Sequence, residues 1–135
     1  MPAGFIVGAM KNLLFLLGFG FLASHELDAV TQSEWRLLYV LRGLPDELAE
    51  TLFVALHVPL FALILWLCQH PRERLREGSR LALAVFLVIH VGLHLRLQDD
   101  PLYSFHDLLS KALIWGGGIC GLLYLLRLWS ERRSV

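Results

Sequence analysis

The sequence predicts an all-α fold, an integral membrane four-helix bundle formed by a single domain over residues 1–135. Three observations predict it. Of the residues 56% are hydrophobic and 18% charged, whereas soluble domains hold roughly 45–50% and about 25%. The mean hydropathy is +0.59, and a chain of this length cannot hide such an excess in one small core, because small domains keep much of their surface exposed. The apolar residues also gather into four stretches, each near the ~20 residues that cross a ~30 Å hydrocarbon core.

The same numbers exclude other classes. An ordinary soluble domain and a disordered chain do not fit the composition. Twelve basic and twelve acidic residues give a formal net charge of zero, so no field attracts nucleic acid. Cys68 and Cys120 form no CxxC pair and sit in apolar stretches; they are expected to pack as free thiols.

The first span is expected at about 12–31, uncharged from Asn12 to His25. Its register stays open, because residues 1–10 are apolar too and the helix can slide to include Lys11. Signal-peptide cleavage at Ala23-Ser24 is not expected, since Leu22 is a poor residue before such a site. Residues 32–47 mix aromatics and charges and suit the outer interface, with Trp35 and Tyr39 at headgroup level. There Glu34 and Trp35 are expected to fix the loop.

The second span, about 48–69, has no formal charge between Glu50 and Arg72. A basic inner loop follows at 69–79. The third span, about 80–98, holds LALAVFLVIHVGLHL between Arg80 and Arg96, which can snorkel to opposite interfaces. An acidic outer turn at 99–107 leads to the fourth span, about 108–129. Pro45, Pro71 and Pro101 each sit where a helix should start or stop. Gly116, Gly117, Gly118 and Gly121, with Gly18 and Gly20, suit close approach of helix 4 and helix 1 to their neighbours.

Orientation follows from the basic residues. With both termini cytoplasmic, Lys and Arg divide 8 to 4 in favour of the inside, and nine of twelve acids face outward. This is the expectation for a multi-pass protein of the bacterial inner membrane.

Ionisable groups inside a bilayer cost roughly 2.5–3.5 kcal/mol each on insertion scales, so their placement asks for a reason. His25, Glu26 and Asp28 lie toward the outer end of span 1, Glu50 and His57 in span 2, and His90 and His94 in the outer half of span 3. The inner halves hold almost none. His25 and Asp28 are three apart, His90 and His94 four apart, and Glu50 and His57 seven apart, so each pair shares a helix face.

A His-x-x-x-His pair directs two imidazoles at one ion, and a third ligand from a neighbouring helix leaves an open tetrahedral position for water. His25, His90 and His94 are the expected metal ligands, with His57 a further candidate and Glu50 a bridging ligand. Asp28 and Glu26 are the expected catalytic carboxylates, as orienting groups or general bases. The cofactor is a divalent metal, zinc or iron: zinc favours hydrolysis, and iron favours oxygen chemistry. Crowded acids beside His57 and His90 argue against haem.

The expected function is therefore a metal-dependent enzyme acting on a membrane lipid or other apolar small molecule, with no nucleic-acid partner and a homo-oligomer left open. A metal-free acid–base isomerase using the same groups is the alternative, as is a non-catalytic accessory subunit or transporter. A through-path is disfavoured by the apolar inner halves.

The strings HELDAV at 25–30 and EWR at 34–36 resemble an uncharacterised family of small bacterial four-span membrane proteins, marked by a His-Glu-x-Asp-Ala stretch followed by a Glu-Trp pair. The resemblance implies His25, Glu26, Asp28, Glu34 and Trp35 as site positions and carries no activity. A looser likeness of site chemistry, not of fold, is to the ceramidase and adiponectin-receptor superfamily. There a His-x-x-x-His helix, a third His, an Asp and a Ser surround intramembrane zinc, roles matched here by His90, His94, His25, Asp28 and Ser24.

Overall fold

A computed structural model describes residues 3–133. Four long helices account for most of them: α1 (Ala3–Thr31), α2 (Asp46–Cys68), α3 (Glu73–Leu97) and α4 (Leu108–Arg133), with a 3₁₀ turn at Glu34–Arg36 between α1 and α2. There is no strand among the described residues. Each helix contains a segment long and apolar enough to cross a membrane.

At 1.5 Å per residue, the 29 residues of α1 extend about 44 Å, more than the ~30 Å hydrocarbon core. Its apolar segment runs Gly8–Thr31, which includes Lys11. That charge is matched: Lys11 Nζ lies 2.9 Å from Glu131 Oε2, so the start of α1 and the end of α4 share one end of the bundle.

The basic stretch after Cys68 is mostly helical, where a loop over 69–79 was expected. α3 starts at Glu73, whose carboxylate in the first turn complements the helix dipole. Arg80 then reaches back, its Nε donating to the Cys68 carbonyl at 2.9 Å, one of the carbonyls that the end of α2 leaves without a helical partner. Its guanidinium also lies 4.4 Å from the Phe15 ring centroid.

α4 packs between α1 and α3, and glycine sets how closely. A Cβ on Gly121 would stand 2.6 Å from the Ala84 carbonyl oxygen, and one on Gly116 would stand 2.5 Å from Phe21 Cε1. Leu14, Phe15, Leu83, Leu87 and Tyr124 form one core cluster, and Trp35, Phe53, Phe105 and Ile114 a second, beside the 3₁₀ turn.

α2 is different. Its buried residues are Ala49, Phe53 and Cys68, near its two ends, while Leu56, Val58, Leu60 and Leu63 are exposed on a surface suited to lipid. Pro59 lies midway within it; proline has no N–H, so the Ala55 carbonyl loses its helical partner there. Side chains bridge α2 and α1: Phe19 meets Phe61 edge to face at 5.8 Å, and Glu26 meets His57.

Candidate metal centre

HELDA is the hub of the bundle. Successive side chains leave a helix about 100° apart, so residues 25, 26 and 28 address three different helices. His25 faces α3, its ring centroid 4.7 Å from His90 and 4.9 Å from His94. Glu26 faces α2, where its Oε2 lies 2.9 Å from His57 Nε2. Asp28 faces α4 and accepts from Ser110 Oγ at 2.6 Å. Ala29 is fully buried beside them.

The chain then reverses. Ser33 takes a left-handed conformation (φ 56°, ψ 42°), which brings the 3₁₀ turn back against the bundle. Its three residues divide the work. Trp35 is 3% exposed, and its Nε1 donates to Asp46 Oδ1 at 2.9 Å. Arg36 Nε donates to the same oxygen at 2.9 Å. So anchored, the turn sends the Glu34 carboxylate inward toward the histidines.

His25, Glu34, His90 and His94 each offer a donor atom, and these four atoms all lie within 4.8 Å of one another. His94 Nε2 is 3.0 Å from His90 Nε2, His25 Nε2 is 3.5 Å from Glu34 Oε2, and His94 Nε2 is 4.0 Å from Glu34 Oε1. Donors bound tetrahedrally at 2.0–2.1 Å from zinc stand about 3.3 Å apart, so small side-chain shifts seat an ion. The residues fit a metal on a second count. His25 Nδ1 and Nε2 and Glu34 Oε2 are buried without a hydrogen-bond partner, a state that costs about 1–3 kcal/mol per group.

The surroundings orient the ligands. Phe86 stacks on His90 at 5.3 Å and 14°. Phe105, 1% exposed, covers His25 and His94 at 5.4 and 4.9 Å. His94 Nδ1 lies 3.2 Å from Tyr103 Oη, the outer-sphere hydrogen bond that metal-bound histidines favour. Burial and the Glu34 charge push the Tyr103 phenol above its ordinary pKa. Burial alone would raise the Glu34 carboxyl, but the close imidazoles of His25, His94 and His90 outweigh it and hold the group below the ordinary value. A cavity of about 250 Å³ lies beside the group, bounded by His94, Tyr103, His106 and Lys111 among others.

The structure brings His25, His90 and His94 together and does not bring His57, Glu50, Glu26 or Asp28 into the same group. α2 turns its Ala49–Phe53 face to Trp35, which leaves Glu50 exposed. His57 pairs with Glu26, and this pair carries a proton by construction. His57 Nδ1 lies 2.6 Å from the Phe53 carbonyl oxygen, which only accepts, so Nδ1 holds a hydrogen. The 2.9 Å contact on Nε2 then needs a second one, on the imidazole or on the carboxyl.

Asp28 is engaged elsewhere. Ser110 also lies 2.7 Å from Asp107 Oδ2, and Gln32 Nε2 lies 3.2 Å from that same oxygen, so the three tie the end of α1 to the start of α4. Asp107 caps α4 by accepting from Ser110 N at 2.9 Å. Ser24 and His106 are exposed. The ligand candidate that composition and spacing left in the loop is Glu34; the EWR resemblance had singled it out.

Residues 11–131 match a protein family described as a family of unknown function (DUF6713). No curated protein and no solved structure matches the chain. The matched span runs from Lys11 to Glu131, the two ends of the ion pair that closes the bundle, and takes in every residue of the His25, Glu34, His90 and His94 group; the chain belongs to that family.

Proposed function

We propose that this chain is a membrane metalloenzyme in which His25, His90, His94 and Glu34 hold one divalent ion and act on a lipid or other apolar small molecule. The observation that carries the reading is the convergence of four donor atoms, from α1, the 3₁₀ turn and α3, within 4.8 Å. Three imidazoles suit zinc ahead of iron, whose oxygen-activating sites use two histidines and one carboxylate; the fourth tetrahedral position takes Glu34 or, with that carboxylate turned aside, a water or substrate oxygen. When bound, such an ion polarises a substrate oxygen or lowers the pKa of water. Glu34 supplies the negative charge beside the ion and, when not bound to it, can accept a proton from water. Tyr103 orients His94, and Phe86 and Phe105 exclude solvent. With the basic residues inside, the centre faces the outer half of a bacterial inner membrane, both termini being cytoplasmic.

A metal-free acid–base isomerase is the second reading, favoured by the proton-sharing Glu26–His57 pair at 2.9 Å. Chelation separates the two. Protein purified in detergent and stripped of metal should gain thermal stability on addition of zinc, iron(II) or manganese, by about 2.7 kcal/mol at a hundredfold excess over Kd. The His25→Ala variant should not. Equal responses from both, or none from either, would contradict the metal reading.

A further inference from the structure

Apart from the metal-centred group, the molecule holds a second built feature. A cavity of about 310 Å³ lies between α1, α2 and α3, walled by Leu22, Leu60, Ile64, Ala82 and Phe86, with Glu26 the only charged residue on its lining. We infer that this groove is a lateral binding site for a single-chain amphiphile with an uncharged hydroxyl or carbonyl headgroup, held at Glu26–His57 with its chain along α2. The inference deepens the reading above and rests on it for what happens next at the metal.

Four features point to that occupant. The walls are apolar within membrane-spanning segments, so what fills them in place of packed side chains is hydrocarbon. From Leu60 to Cys68, both on the lining, the helix rises about 12 Å. A volume at the low end of the roughly 300–1,000 Å³ of ligand pockets takes one such chain and not two. Glu26, on the same lining, meets His57 of α2 at 2.9 Å, which sets one polar pair beside the apolar walls.

The head end is polar and specific. Sharing one proton, the Glu26–His57 pair has no net charge and so attracts neither an anionic phosphate or fatty acid nor a cation. A hydroxyl or carbonyl can bond to the pair. Phe86 connects the two sites physically: it lines the groove and stacks on His90, so an occupant of the groove meets a ring that packs on a proposed metal ligand.

The test uses a long-chain fatty alcohol carrying a photoactivatable diazirine, with the diazirine hydrocarbon of equal length as comparison, added to the full chain in detergent. Cross-links should fall on 60–64 of α2 and 82–86 of α3. Ala82→Trp and Ile64→Trp, which fill the groove from opposite walls, should each cut labelling there roughly three- to tenfold. Glu26→Gln should cut labelling by the alcohol by a similar factor, the worth of one hydrogen bond, and leave the hydrocarbon unchanged. Metal content should stay at the wild-type level in all three variants. Cross-links spread evenly over lipid-facing residues such as Leu122 and Leu126 would overturn the inference, as would labelling that neither tryptophan reduces. Absence of metal with groove-specific labelling would instead count against the metal centre alone.

Discussion

His25 Nε2 lies 3.5 Å from Glu34 Oε2, although α1 ends between them at Thr31. The left-handed Ser33 and the buried Trp35 create that approach, and through it the loop completes a group whose other members lie on α1 and α3. The centre thus depends on how the 3₁₀ turn is anchored as much as on the histidines.

Loosening the anchor should therefore weaken metal binding without touching a ligand. Asp46→Ala removes the acceptor of both Trp35 Nε1 and Arg36 Nε. Outer-sphere changes of this kind typically cost 10- to 100-fold in metal affinity, and a loss of about tenfold is expected. Glu34→Gln should lose at least as much. Competition titration with a chromophoric chelator measures both; an Asp46→Ala affinity equal to wild type would show that the turn holds Glu34 without it.

Close packing of α4 on α3 makes a second prediction. Gly121→Ala places a Cβ 2.6 Å from a backbone oxygen of α3, which cannot rotate away, and should destabilise the bundle by about 1–3 kcal/mol. Gly20→Ala meets nothing within 4 Å and should be neutral or slightly stabilising, because alanine favours helix over glycine. Unfolding in mixed micelles should separate the two variants; equal midpoints would contradict the packing.

A pH dependence follows from the cap of α4. Hydrogen bonds from Ser110, its backbone N–H first and then its hydroxyl, hold the Asp107 carboxyl below the ordinary aspartate range. A group whose pKa is lower folded than unfolded contributes stability above the unfolded value, and loses it as pH falls through the folded one. Asp107→Ala should therefore lower the melting midpoint at neutral pH, with the gap narrowing below about pH 4. A gap that widens toward acid would have the wrong sign.

Much of the fold was legible in the sequence, because four long apolar stretches in 135 residues leave few arrangements. His25, His90 and His94 were legible as well: four-residue spacing on one helix and matched depth on another are local properties. Glu34 was legible only through the EWR resemblance and not from spacing, since a loop residue acquires its position from the φ of Ser33 and from the contact between Trp35 and Asp46. Helical spacing put Glu50 and His57 on one face of α2 but could not say which way that helix faces. The side that packs is set by Ala49 and Phe53 against Trp35, and His57 falls at its edge, opposite Glu26.

Elemental analysis of the detergent-purified wild type beside the His90→Ala/His94→Ala double variant tests the central claim most directly. We expect one equivalent of zinc, or of iron, in the wild type and none in the variant, with Glu26→Gln retaining the full amount. Equal metal in wild type and double variant, or none in the wild type after reconstitution with zinc, iron(II) and manganese, would contradict a centre built on these histidines.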